Sequence, residues 1–230
     1  MEIRSHLQRF TPPRRSACSR ANLFPTLCGL VLLVAAICPR ALVAQLPAIK
    51  VLDNSALHPP AGARVAIVEF DDLECPTCAY YNPVLRQAAQ HYKIPWIRHD
   101  YIIPYHNWSR KAAVAARWFD SRGKSLGDDY RDAVFADQSN IYNQGVLNQF
   151  TEKFAQQHGV AMPFAVDPLG KLDAEVSADT DLGKRTGVDA TPTIFIVSSG
   201  PKGAGYTQVL DPNRDLYHII DQALAATGGR

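Results

Sequence analysis

The sequence predicts an α/β fold with a helical block inserted between its two halves. Two observations carry this. The patterns run strand, helix, strand, a long helical stretch, a strand hairpin and a closing helix, which is an α/β layout. The two segments that bracket the helical stretch, at Cys75 and Pro192, lie 117 residues apart. One βαβ crossover takes about 30 residues, so a block at about residues 104–187 is an insertion in an α/β core.

Each element has its own signal. Residues 45–60 form an irregular lead-in with Pro47, Pro59 and Pro60. Residues 64–70 are short, apolar and rich in β-branched side chains, as a buried strand requires. The stretch after Cys78, to about Tyr92, carries Ala, Leu and Gln and reads as helix. Residues 94–103 read as a second strand interrupted at Pro95. Within the helical block, residues 112–119 are rich in Ala, and Leu147, Phe150 and Phe154 recur at i, i+3, i+7 on one helical face. Gly159 follows as a C-terminal cap. Residues 193–198 form a β-branched strand, a glycine-rich turn at 200–205 leads to its hairpin partner at 206–210, and Leu216, Ile219, Ile220 and Leu224 mark an amphipathic final helix.

The bulk composition suits one globular domain: 230 residues, 47% hydrophobic and 20% charged. The net charge of +2 is unevenly spread. Residues 1–44 hold six Arg, no Lys and one acid, which leaves 18 basic and 21 acidic residues in the rest. A mildly acidic domain gives no electrostatic case for nucleic-acid binding. Five Arg precede the apolar run 27–38, whose 12 residues fall short of the roughly 18 that a membrane-spanning helix needs. Small residues follow near Ala41-Leu42-Val43-Ala44, the pattern of a secretory signal. Residues 1–44 are thus expected to be a signal peptide cut after Ala44, or an uncleaved membrane anchor, and 45–230 the domain proper. Arg14-Arg15 lacks the following residues of a twin-arginine signal.

Cysteine usage sharpens the reading. Cys18, Cys28 and Cys38 lie in the leading segment, so the domain keeps Cys75 and Cys78. An exported chain meets an oxidising compartment, and the only intrachain disulfide open to this domain is Cys75–Cys78. A Cys-x-x-Cys beside a βαβ pattern reads as a redox motif. With a helix starting at the motif, Pro76 takes the first helical position, where its missing N–H costs nothing. The positive helix end then favours a thiolate at Cys75, making it both a nucleophile and a good leaving group. Cys78 falls one turn further in, more buried, and resolves the mixed disulfide.

At this point the sequence resembles the DsbA-like branch of the thioredoxin superfamily, over about residues 62–225. The resemblance rests on Val68-Glu69-Phe70, Cys75-Pro76-Thr77-Cys78, Pro83 in the next helix, Gly187-Val188-Asp189-Ala190-Thr191-Pro192-Thr193 before a strand, and the helical insertion itself. It implies a thioredoxin-like fold and a thiol–disulfide oxidoreductase acting on exported proteins with free thiols. It also implies recycling by a membrane redox partner, no organic cofactor or metal, and a periplasmic or secreted location. Pro192 looks like the family's cis-proline beside the redox pair, and Thr191 would offer its backbone to an extended client strand. Glu69, six residues before Cys75, sits where such proteins often carry a buried acid. It would accept a proton as Cys78 is activated, or else be a satisfied structural carboxylate. Pro76 and Thr77 are the variable pair between the cysteines; they differ from the Gly-Pro of thioredoxin and the Pro-His of the family's best-known oxidant, and so lack that His.

Other residues read more plainly. His99 and His106 are expected to be packed or solvent-facing rather than ligands. Asp71, Asp72 and Glu74 read as a solvated loop edge that would raise the pKa of Cys75 if close. Trp96, Trp108 and Trp118 read as core or groove-wall residues, and Asn107-Trp108-Ser109 is a chance match to a glycosylation triplet. Three rival readings stay open: a reductase or isomerase of the same fold, a non-catalytic peptide-binding chaperone, and a metal-binding module. The last lacks the four clustered ligands that structural zinc wants. Isomerases of this superfamily are usually dimers with an N-terminal dimerisation domain, for which residues 45–60 are too few, so a monomer acting as an oxidant or general oxidoreductase is the expectation.

Overall fold

The computed structural model describes residues 48–200 and 203–228. The expected signal or anchor segment, residues 1–44, lies outside the described residues. In chain order, β1 (Val65–Asp71) leads into α1 (Pro76–Tyr92) and β2 (Trp96–Asp100). Then come α2 (Ser109–Asp120), α3 (Lys124–Asp137), a 3-10 turn at Gln138–Asn140, α4 (Gln144–Gln157) and α5 (Lys171–Thr186). β3 (Thr193–Gly200), β4 (Gly203–Val209) and α6 (Pro212–Ala226) close the chain. Among the described residues no helix is long and apolar enough to cross a membrane.

The four strands form one sheet in the order β2-β1-β3-β4. β1 runs parallel to β2 and antiparallel to β3, which pairs antiparallel with β4. β1 is buried along all seven residues, which explains its near-continuous apolar sequence: helices cover both of its faces. Its alternation sorts the core. Val65 and Ile67 join Leu85 and Ala88 of α1 and Leu216 and Ile220 of α6 on one face. Ala66, Val68 and Phe70 join Tyr101, Ile103, Val188 and Leu182 on the other. Leu85 and Leu216 are fully buried, and each such side chain contributes roughly 1.5–3 kcal/mol through removal from water.

β2 is shorter than the expected strand at 94–103. Its donors beyond Tyr101 are claimed by side chains: the Thr180 hydroxyl accepts from Ile102 N at 3.2 Å, and Asp72 Oδ2 accepts from Ile103 N at 2.8 Å. With those N–H groups satisfied off the sheet, the chain leaves the ladder. β1 conversely runs one residue past expectation, to Asp71, because Asp71 O accepts from Tyr101 N at 2.7 Å.

The inserted helices have their own core. Phe119, Tyr130 and Phe154 meet with ring centroids 4.7–5.2 Å apart. The buried Tyr130 hydroxyl and Thr151 Oγ1 form a 2.7 Å hydrogen bond. Leu147 and Phe154 are buried and Phe150 packs against them, as the α4 periodicity predicts. Gly159 ends that helix with φ +66°. This cluster also takes in Cys75, Cys78 and Leu73, so the Cys-x-x-Cys lies on the seam between insertion and sheet. α5 ends at Gly187, φ +97°, where a Cβ would sit 2.5 Å from the Lys50 carbonyl oxygen. Only glycine fits that turn.

Candidate redox site

Cys75 is the N-cap of α1 and Pro76 its first helical residue. The Cys78 backbone N–H donates to Cys75 Sγ at 3.4 Å, and the Cys75 thiol donates to the Thr191 carbonyl oxygen at 3.3 Å. Both cysteines are free and buried. The Thr191–Pro192 peptide is cis, and the contact with Thr191 brings that loop onto the Cys75 sulfur across 116 residues of chain. Thr191 and Pro192 are half-buried, and Thr193 Oγ1 ties the loop by donating to Ala190 O at 2.8 Å.

The two sulfurs have opposite electrostatics. Hydrogen bonding from the Cys78 thiol, supported by the Thr191 side chain and the Cys78 and Thr77 amides, pulls the Cys75 pKa from 9.0 to about 6 against its burial. Burial holds Cys78 well above the ordinary thiol range, reinforced by Cys75 and by the charges of Asp71 and Glu69. At neutral pH Cys75 is therefore the thiolate and Cys78 the thiol.

Glu69 lies on the buried central strand and is 1% exposed. The Trp96 indole N–H donates to its Oε2 at 3.0 Å. The Arg98 guanidinium, opposite it in register on β2, lies 3.9 Å away and stacks 4.0 Å over the Trp96 ring. Burial, then repulsion from Asp71, pushes the Glu69 carboxyl far above the usual range.

Asp71, Asp72 and Glu74 overturn the expectation of a solvated loop edge. Asp71 and Asp72 are each 1% exposed. Asp72 accepts from Ile103 N and Glu74 N, both at 2.8 Å, and pairs with His106 Nδ1 at 2.9 Å. Glu74 Oε2 accepts from Trp108 N at 2.7 Å and Ser109 N at 3.0 Å, capping α2. Asp72 and Glu74 face inward because N–H groups of the segment after β2 and of the α2 start end at the redox loop, and these carboxylates satisfy them. Of the three, Asp71 acts on a neighbouring sulfur, its charge helping to raise the Cys78 thiol.

The histidines are packed: His99 stacks on Phe70 and bonds Asp179 at 3.1 Å, and His106 bonds Asp72. Trp108 and Trp118 are buried, and Trp96 forms the wall beside Glu69. Sequence reasoning missed Arg98, Asn82 and Gln138. Arg98 donates to Asn82 Oδ1 on α1. Gln138 Nε2 donates to the carbonyls of Leu73 and Cys75 at 2.9 and 3.1 Å. The available signal was charge at alternate positions of two adjacent strands, Glu69 and Asp71 on the buried one, Arg98 and Asp100 on its half-buried neighbour.

A family model described as thioredoxin matches residues 60–199, and the chain belongs to that family. Solved structures with the same fold include Wolbachia pipientis alpha-DsbA1 (TM-score 0.60, 17% identity, 79% of this chain and 94% of that one). Oxidised BdbD of Bacillus subtilis is similar too (TM-score 0.56, 19% identity, 78% and 96%). So is a periplasmic thioredoxin-like protein of Salmonella enterica serovar Typhimurium (TM-score 0.56, 19% identity, 73% and 88%). These bear out the DsbA-like resemblance and the α/β, thioredoxin-like fold with its helical insertion. Among curated proteins, disulfide bond formation protein D of Bacillus subtilis is 25% identical over 149 residues, covering 58% of this chain and 64% of that protein. The Na(+)/H(+) antiporter NhaA 3 of Salinispora tropica is 24% identical over 157 residues, covering 63% of this chain. The chain spans 22% of that antiporter's length.

Proposed function

We propose that this chain is an exported thiol–disulfide oxidoreductase that donates the Cys75–Cys78 disulfide to thiols of other exported proteins. The observation that carries the reading is Cys75 at the α1 N-terminus, its sulfur held by the Cys78 amide and set against Thr191. A client thiolate attacks Cys75 Sγ and Cys78 leaves. The client's second thiolate then attacks its own sulfur in the mixed disulfide and expels Cys75 as a thiolate. Two electrons pass from client to protein, and a membrane redox partner reoxidises the pair. Glu69 serves the proton demand of Cys78, while the Thr191 backbone and Pro192 hold the client's extended segment. The periplasmic or secreted location, with residues 1–44 as signal or anchor, belongs to the same reading, as does a monomer needing no metal.

The direction rests on the acidity of Cys75. A thiolate with pKa about 6 is stabilised at neutral pH, and stabilising the reduced form makes the disulfide a stronger oxidant. The test is equilibrium of the purified chain lacking residues 1–44 against glutathione redox buffers. A potential toward about −120 mV supports an oxidant, and one near about −270 mV makes the chain a reductase. No exchange at any buffer ratio removes the oxidoreductase reading.

A further inference from the structure

Four residues of α1 are buried, Cys78, Asn82, Leu85 and Ala88, spaced along one helical face. Leu85 and Ala88 cover Val65 and Ile67 of β1. Cys78 and Asn82, nearer the helix N-terminus, cover the continuation of that strand face, which is Glu69 and Asp71. Both carboxyls are 1% exposed, and one cation reaches both: Arg98 Nε lies 3.5 Å from Asp71 Oδ2 and 3.9 Å from Glu69 Oε2.

The other charges facing this pair are already engaged. On α2, Arg117 holds Asp100 and Asp179 at 2.6 Å each. On α3, Arg131 is paired with Asp120 while its charge still favours the Asp71 carboxylate, and Asp132 is paired with Arg86 of α1 at 2.6 Å and lies 3.7 Å from Arg98 Nη1. Asp100, level with Asp71 on β2, and Asp72 beside it add negative charge. Trp96 donates to Glu69, while Asp71 Oδ2 has no hydrogen bond at all. Two carboxylates sharing one guanidinium in a dry site do not both ionise, because desolvation and mutual repulsion exceed what one cation returns.

We propose that Glu69 and Asp71 hold a single proton between them against Arg98, and that this shared proton passes to Cys78 sulfur when a client opens the disulfide. The proposal rests on the oxidoreductase reading and deepens it. As the client thiolate bonds to Cys75 Sγ, the Cys75–Cys78 bond breaks and its electron pair leaves on Cys78 Sγ. The carboxyl pair gives that sulfur its proton and takes a replacement proton from water in the same step, so that one proton stays on the pair. Asp71 acts as a positioning residue, its charge keeping Glu69 protonated. Burial first, then Asp71, raises the Glu69 carboxyl, and burial raises Asp71 against the pull of Arg98.

The test is a pH titration of the Glu69 and Asp71 side-chain carboxyl carbons by NMR, in the full chain and in D71N and E69Q. A shared proton makes both carbons move in both steps, the upper one above the ordinary carboxylate range. In D71N, Glu69 then titrates in one step at lower pH, and the pH profile of the redox potential loses the matching inflection. Asp71 titrating alone in the ordinary range, or a Glu69 curve unmoved in D71N, overturns the proposal. If D71N does not fold, the two wild-type curves decide. Carboxyls that titrate together in a chain exchanging no disulfide overturn the proposed function and the delivery step, but not the sharing.

Discussion

Cys75 carries a prediction of its own. Its alkylation rate by iodoacetamide should rise through a midpoint near pH 6, where the thiol ionises, while Cys78 should stay unreactive across the neutral range. The acidity has a local origin: bonds from Cys78 and Thr191 outweigh burial. Part of this was legible in the sequence. Cys75, Pro76 and Cys78 announce themselves because the motif and the helix start are contiguous. Thr191 and Pro192 were legible only through family resemblance, since nothing local ties them to a sulfur 116 residues away. Asp71 and Asp72 misled because an acidic run before a motif looks solvated. Their partners Arg98, Ile103 and His106 come from β2 and the segment after it, so their burial is a long-range property.

At the scale of elements, the redox loop and α2 depend on one carboxylate. Glu74 satisfies two amides at the α2 start, the work of a helix cap done by a residue distant in sequence. Glu74→Ala should lower stability by about 1–2 kcal/mol in urea unfolding, with Glu74→Gln recovering part of the loss. An unchanged midpoint in both would mean that water serves the α2 N-terminus equally well. The strands show the same division between local and distant causes. β1 and β3 were legible because buried β-branched runs have few other uses. The early end of β2 was not, because the side chains of Asp72 and Thr180 take its donors.

For the whole molecule, redox state and stability are coupled. The folded Cys75 pKa is lowered from 9.0 to about 6. The stabilisation this gives the reduced protein is fully present above the unfolded value and is lost as pH falls through about 6. The reduced chain should therefore melt above the oxidised one at pH 8, and the gap should narrow toward pH 5. A gap independent of pH would assign the difference to disulfide strain or loop entropy rather than to the thiolate.

The loop before the Cys75 sulfur is held from the insertion at several points. Asp72 reaches the segment after β2, Glu74 reaches α2, and Gln138 holds the carbonyls of Leu73 and Cys75. A sulfur fixed in this way offers one angle of approach, and disulfide exchange needs the incoming sulfur to line up with the bond it breaks. Under the proposed function, that adjustment falls to the client. Cysteines on slack, still-unfolded polypeptide can swing into line, whereas those locked in a finished domain cannot. Under that function the anchoring would make the chain a timer, acting on clients early in their folding and passing over them once they are complete.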